Sequence, residues 1–300
     1  EGVSMIGFLK GSATAMITPF TESGVNFDAF GKMIEYQIAG GTDALVVLGT
    51  TGEPATMTED EKEALMRYAV KACAGRVKLI FGTGGNNTEK AVRMTKLAEE
   101  IGADGILAVT PYYNKCTQNG LIAYYRAICG ATKLPVICYN VPSRTGVNIL
   151  PETMEKIAEI PNMAGIKEAS GNMAQVLDTA RRIRGKCDLY SGEDALNLPI
   201  LCAGGTAVIS VVSNLAPKAV KELVCAVEAC DLKKANELND RLAPLSKACF
   251  LEVNPIPAKA GMAMLGFDAG EPRAPLTPLE EAHATVLRDT MSAFGLEIKA

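Results

Sequence analysis

"MAGIKEAS" (residues 163–170) is the stretch on which the fold turns. Met163, Ala164, Gly165 and Ile166 read as a strand covered on both faces, and Lys167 follows without a break. Lysine is among the residues least often fully buried unless it is paired. A lysine closing an apolar strand therefore asks for a reason, and the rest of the chain supplies the frame for one. Short apolar runs alternate with helix-period segments about eight times before residue 215. The runs are Ala13–Thr18, Ala44–Gly49, Val77–Phe81, Gly105–Val109, Pro135–Asn140, Met163–Lys167, Asp188–Ser191 and Ala207–Val212. Most are continuous rather than alternating in polarity, as strands buried on both faces should be.

The segments between them are amphipathic. One opens with Thr58 and Glu61 at capping-box spacing and sets Ala64, Leu65, Tyr68, Ala69 and Ala72 on one face. Another runs from Thr88 through Val92, Thr95, Leu97, Ala98 and Ile101, and Pro151 marks the first turn of a third. Eight β-α units in series predict an α/β fold, a (β/α)8 TIM barrel, which leaves no sheet edge exposed. A doubly wound open sheet is the competitor, but no GxGxxG turn follows the first strand. After residue 215 the strands stop. The remaining helical pattern, broken by "VNPIPAKA" (253–260) and "EPRAPLTP" (271–278), predicts two to four appended helices. The chain divides on this reading into a catalytic barrel, 1–230, and a C-terminal helical domain, 231–300. Glu1–Ser4, ahead of Met5, read as a remnant and take no part in the argument.

Composition narrows the function. With 48% hydrophobic and 21% charged residues, the 300-residue chain is an ordinary folded protein rather than a disordered one. A net charge of -4 without a basic cluster argues against nucleic acid, and the absence of tryptophan removes one stacking platform for single strands. No run approaches the roughly 20 apolar residues of a membrane span. The nine cysteines are scattered, with no CxxC pair, and no signal-peptide pattern is read at the N-terminus. They read as reduced, buried, structural thiols of a cytoplasmic protein. His283 is the only histidine, which leaves little room for a His-based metal site or a Ser-His triad.

In such barrels the chemistry sits at the C-terminal ends of the strands. Those ends here are "GTTGE" (49–53), "TPYYN" (110–114), "YNVPSRTG" (139–146), "IKEAS" (166–170) and "SGED" (191–194). A primary amine at a largely apolar barrel mouth is desolvated, which favours the neutral, nucleophilic form. Attack of Lys167 on a ketone would give an imine, an electron sink for removing the neighbouring proton. The plainer reading pairs Lys167 with Glu168 on an exposed strand, although adjacent strand residues point to opposite faces. Tyr139 could carry protons to and from the carbinolamine oxygen, with Thr50 and Tyr113 extending the relay; rim packing is the alternative for Tyr112 and Tyr113. The glycines and hydroxyls of "GTTGE" suit a carboxylate, a weak motif alone. Arg144 offers a planar fork for a second carboxylate or is a plain surface arginine. Gly204–Gly205 precede the eighth strand, the wrong end for a phosphate loop.

Together, "GTTGE", "TPYYN", "YNVPSRTG", "GIKEAS" and "NPIPAK" (254–259) resemble the pyruvate-dependent class I aldolases of the dihydrodipicolinate synthase/N-acetylneuraminate lyase family, over nearly the whole chain and in the same order. The resemblance implies that Lys167 forms the Schiff base with pyruvate. It implies a proton relay of Tyr139, Thr50 and Tyr113, the last reaching into a neighbouring subunit. It gives the pyruvate carboxylate to Thr51 and its turn, and the carboxylate of L-aspartate 4-semialdehyde to Arg144. Backbone around Gly192 and Ile209 would line the pocket. The implied product is 4-hydroxy-tetrahydrodipicolinate, in lysine and diaminopimelate biosynthesis, made without a cofactor or metal by a homotetramer of two tight dimers. Sugar-acid lyases of the family commonly replace the second threonine of "GTTGE" and lack the arginine of "PSRTG"; both are present here.

Feedback-sensitive members bind lysine near positions matching Asn86 and Tyr112, with a histidine and an acidic group. Lys62 and Lys90 stand where those two are expected, so free lysine should inhibit weakly or not at all. Three other readings compete: a sugar-acid lyase, a non-catalytic keto-acid sensor and a pyridoxal-phosphate barrel.

Overall fold

The continuous apolar runs become strands whose residues are buried on both faces. In a computed structural model, which describes residues 5–299, the strands are β1 (Gly11–Ala15), β2 (Phe20–Thr21), β3 (Gly24–Val25), β4 (Ala44–Val47), β5 (Lys78–Gly82), β6 (Gly105–Val109), β7 (Val136–Asn140), β8 (Met163–Glu168), β9 (Asp188–Ser191) and β10 (Ala207–Ser210). Glu1–Ser4, set aside above, and Ala300 lie outside the described residues. Eight strands form a closed barrel in the order β1-β10-β9-β8-β7-β6-β5-β4, and β2 and β3 form an antiparallel ribbon. Every residue of β1, β4, β7, β8, β9 and β10 is buried, which is why those runs lack alternation.

The helices are α1 (Phe27–Ala39), α2 (Glu59–Cys73), α3 (Thr88–Ile101), α4 (Gln118–Cys129), α5 (Pro142–Thr145), α6 (Pro151–Ile157), α7 (Met173–Ile183), α8 (Asn197–Cys202), α9 (Pro217–Glu228), α10 (Leu232–Ala248), α11 (Ile256–Met264) and α12 (Glu281–Phe294). The capping box of α2 forms: Thr58 Oγ1 accepts from Glu61 N at 3.2 Å, and Glu61 accepts from Thr58 N at 2.9 Å. Pro151 opens α6, where a missing N–H leaves nothing unsatisfied.

The described residues through Lys10, with Lys78–Ile209, form one compact unit; Gly11–Val77 and the chain from Ser210 onward form another. In the first, β5 to β9 pair in parallel sequence, and the β7–β8 register sets Tyr139 beside Lys167 and Asn140 beside Glu168. In the second, β1 pairs with β4, and the Asp43 carboxylate accepts from Ser12 N at 2.7 Å and from Lys221 Nζ at 2.7 Å. Buried Gln37 links Thr14, Thr42 and the Ser213 carbonyl there. Among the described residues no helix is long and apolar enough to cross a membrane.

Four details differ from the sequence reading. The first strand is Gly11–Ala15 rather than Ala13–Thr18, although Met16 N still donates to Val46 O at 3.0 Å. The last strand stops at Ser210, because Val212–Asn214 tighten into a 3-10 turn. "VNPIPAKA" interrupts the helices only briefly, and α11 begins inside it with proline in its first turn. Of the cysteines expected to be buried, Cys202, Cys225 and Cys230 are exposed. Cys225 lies on a helix with an exposed face, where its thiol meets solvent rather than core.

Candidate active site

Lys167, the penultimate residue of β8, has only 5% of its surface exposed. Its Nζ stands 4.0 Å from the centroid of the Tyr139 ring, itself 6% exposed, so the ammonium form is met by a π face rather than a carboxylate. The surface-pair alternative is overturned: Glu168 is fully buried and its carboxylate is occupied elsewhere. It accepts from Asn140 Nδ2 at 3.2 and 3.3 Å and from Ser170 N at 2.8 Å. Asn140 in turn donates to Asn148 Oδ1 at 2.9 Å and accepts from Ile149 N at 2.9 Å, and Asn148 and Gln175 exchange hydrogen bonds. Burial pushes the Glu168 carboxyl above its ordinary range, against the hydrogen bonds from Ser170, Asn140 and Gln175 that favour the anion.

Gly192 has a steric role. A β-carbon there would lie 2.8 Å from Lys167 Cγ and 2.9 Å from its Cε, inside any real contact distance. Its N–H donates to Glu168 O at 2.8 Å. A side chain at 192 would thus displace the lysine stem. Ile209 is buried on β10. Arg144 is exposed on α5, which Gly146 ends at φ +69°. Tyr113, at φ +71°, is 90% exposed and so is not packed against the buried Lys167–Tyr139 pair of its own chain.

The "GTTGE" turn is built separately. Thr50–Gly52 form one 3-10 turn after β4, with Thr51 buried, and Glu53 ends it in the left-handed region at φ +55°, ψ +40°. That conformation is disfavoured for a residue with a β-carbon by about 1 kcal/mol or more, so neighbours must hold it. Lys259 Nζ donates to Glu53 Oε1 at 2.7 Å with both side chains sealed from solvent, and Arg273 N donates to Oε2 at 2.9 Å. Lys259 Nζ and the Arg273 guanidinium lie 4.1 and 4.0 Å from the Phe20 ring centroid. Thr18 Oγ1 donates to Gly52 O at 2.7 Å, and Asn254 Nδ2 donates to Thr51 Oγ1 at 2.9 Å.

Asn140, Glu168, Asn254, Lys259 and Arg273 have no assigned site role in the sequence reading, although each lies in a stretch quoted there: "YNVPSRTG", "IKEAS", "NPIPAK" and "EPRAPLTP". Glu252, Glu280 and His283 bring one potential ligand atom each within 4.8 Å of one another. Two hydrogen bonds already explain them: Glu252 Oε1 accepts from Glu280 N at 2.9 Å and lies 2.7 Å from His283 Nδ1, tying the start of α12.

The family model described as "Dihydrodipicolinate synthetase family" matches residues 8–294. The chain belongs to that family. A 4-hydroxy-tetrahydrodipicolinate synthase of Alkaliphilus oremlandii is 50% identical over 282 residues, 94% of this chain and 97% of the relative. A crystal structure of dihydrodipicolinate synthase from Aquifex aeolicus superposes with a TM-score of 0.95 at 43% identity, covering 97% of this chain and all of that one. A monomeric dihydrodipicolinate synthase variant gives the same TM-score and identity over 97% of this chain and 98% of its own. The enzyme class read from the strand ends, an aldolase-type lyase, agrees with these relatives.

Proposed function

We propose that this chain condenses pyruvate with L-aspartate 4-semialdehyde through a Schiff base on Lys167, giving 4-hydroxy-tetrahydrodipicolinate for lysine and diaminopimelate biosynthesis. The observation that carries the reading is the buried Lys167 amine over the Tyr139 ring, with the adjacent Glu168 carboxylate tied to Asn140 and Ser170. Such an amine is held in place yet not committed to an anion.

The neutral amine attacks C2 of pyruvate, and Tyr139 passes a proton to the carbinolamine oxygen, which leaves as water. The iminium accepts the electron pair released when a C3 proton departs. The resulting enamine carbon adds to the aldehyde carbon, whose oxygen takes up a proton. The semialdehyde's own amino group then displaces Lys167 from C2, which closes the ring and frees the enzyme. In this reading Thr50 and Tyr113 continue the proton path and Thr51 and its turn hold the pyruvate carboxylate. Arg144, on an exposed short helix, takes the semialdehyde carboxylate. Gly192 keeps the lysine stem in place, and Ile209 lines the pocket.

We place the protein in the cytoplasm, where its nine thiols would stay reduced. We assign a homotetramer in which Tyr113, 90% exposed in the single chain, enters a neighbouring subunit's site. The division at residue 230 falls between the end of α9 and the start of α10. Free lysine is a weak inhibitor or none on this reading; Lys62 lies 2.9 Å from Glu59, and Lys90 is exposed. Strong inhibition at low millimolar lysine would reverse that reading.

The deciding experiment is pyruvate consumption with L-aspartate 4-semialdehyde beside N-acetylmannosamine and glyceraldehyde. Turnover with the semialdehyde alone is expected. Turnover only with a sugar aldehyde would keep the imine and reassign Arg144. An Arg144→Ala variant should weaken use of the semialdehyde while borohydride still traps pyruvate on Lys167.

A further inference from the structure

The "NPIPAK" segment has a job that no step above uses. Asn254 is 5% exposed and Thr51 2% exposed, and the Asn254 amide donates to the Thr51 hydroxyl oxygen at 2.9 Å. A hydroxyl has one proton and two acceptor sites. With one acceptor site filled by Asn254, the Thr51 proton cannot point back along that bond and is left to donate elsewhere. Five residues later in the chain, Lys259 fixes Glu53, the residue that ends the same turn, and Glu53 N donates to Thr50 O at 3.1 Å. One segment therefore sets both the proton direction and the backbone position of 50–53.

We infer that Asn254 is a positioning residue for recognition of the pyruvate carboxylate. It acts through Thr51, by orienting that hydroxyl as a donor, and does not touch the reacting atoms. The inference rests on the reading that Thr51 binds this carboxylate. A charge-neutral hydroxyl turned towards the anion before it arrives strengthens binding without reorganisation on binding.

The test is a double-mutant cycle in the full-length protein, reading the pyruvate concentration for half-maximal borohydride trapping on Lys167. Asn254→Ala is expected to raise it about tenfold, the scale of one well-placed hydrogen bond, while the half-saturating semialdehyde concentration stays within about twofold. Thr51→Val should raise it at least as much, and the double variant should be no worse than Thr51→Val alone. Asn254→Ser, smaller but still polar, serves if the alanine variant fails to fold, with the same non-additivity expected. Multiplying effects in the double variant, or an Asn254 variant with unchanged pyruvate saturation, would overturn the inference while leaving Thr51's role intact. An unaltered Thr51→Val would remove that role and the inference with it.

Discussion

Among the described residues two lysines are buried completely enough to need an explanation, and they are held in opposite ways. At the end of β8, Lys167 faces an aromatic ring at 4.0 Å, and the nearby carboxylate of Glu168 is satisfied by neutral donors, Asn140 and Ser170. Beside the "GTTGE" turn, Lys259 is bound to Glu53 at 2.7 Å with no solvent access. On the proposed reading, the first arrangement leaves an amine available for chemistry. The second consumes its amine to hold backbone, and the left-handed Glu53 is what it holds. Burial alone therefore does not identify a reactive lysine. The partner that each amine meets is what separates the two.

That contrast breaks most visibly under labelling. Lys167→Ala should abolish both turnover and borohydride-dependent attachment of pyruvate, read by intact mass, because the proposed imine needs this amine. Lys259→Met should leave the label on Lys167 but lower unfolding stability by about 3–5 kcal/mol, since it strands the Glu53 charge in the interior. Adding Glu53→Gln should recover part of that loss, read by denaturant unfolding. Label appearing on Lys259 in the wild-type protein would end the distinction between the two lysines.

The neutral network around Glu168 can be tested by reversing its polarity. Asn140→Asp would set two carboxylates against each other in a buried site and should be strongly destabilising, by about 3–5 kcal/mol. Glu168→Gln should be milder, because an amide still offers an acceptor to Ser170 N. The double variant restores a donor–acceptor pair with donor and acceptor exchanged and should recover at least half of the Asn140→Asp loss. Trapping of pyruvate on Lys167 should follow the same order, since Asn140–Glu168 is the register pair next to Tyr139–Lys167. Additive losses in the double variant would mean that the two side chains do not act as one unit.

What could be read from sequence divides along the same line. Lys167 was legible because a lysine in an apolar run violates the strand pattern, and the α2 capping box because Thr58 and Glu61 are three residues apart. Asn254 and Lys259 were not, because their partners Thr51 and Glu53 lie 203 and 206 positions away. No local pattern encodes a pairing over such a distance. The β2–β3 ribbon escaped for the opposite reason: two residues per strand are too few to show a period. Glu168 enters the sequence reading as part of "IKEAS" and, in the disfavoured alternative, as a surface partner for its neighbour. Its burial depends on Asn140, Asn148 and Gln175, drawn from different elements.

The smallest expected effect separates the two regions by pH. The Glu168 carboxyl is raised above its ordinary 4.5 mainly by burial, so the folded chain holds that proton more tightly than the unfolded chain does. The penalty for its charge is absent below about 4.5 and develops as the pH rises through the folded value. Glu61, hydrogen-bonded to Arg273 beside the turn, is lowered to about 2, chiefly by that hydrogen bond. Its contribution is complete above 4.5 and is lost as the pH falls towards 2. The stability of wild type minus Glu168→Gln should therefore fall with rising pH above 4.5, while wild type minus Glu61→Gln should rise between pH 2 and 4.5. Denaturant midpoints measured from pH 2 to well above 4.5, with slopes of the same sign for both variants in their own windows, would show that the two carboxylates are held alike and that the contrast between the regions is confined to their lysines.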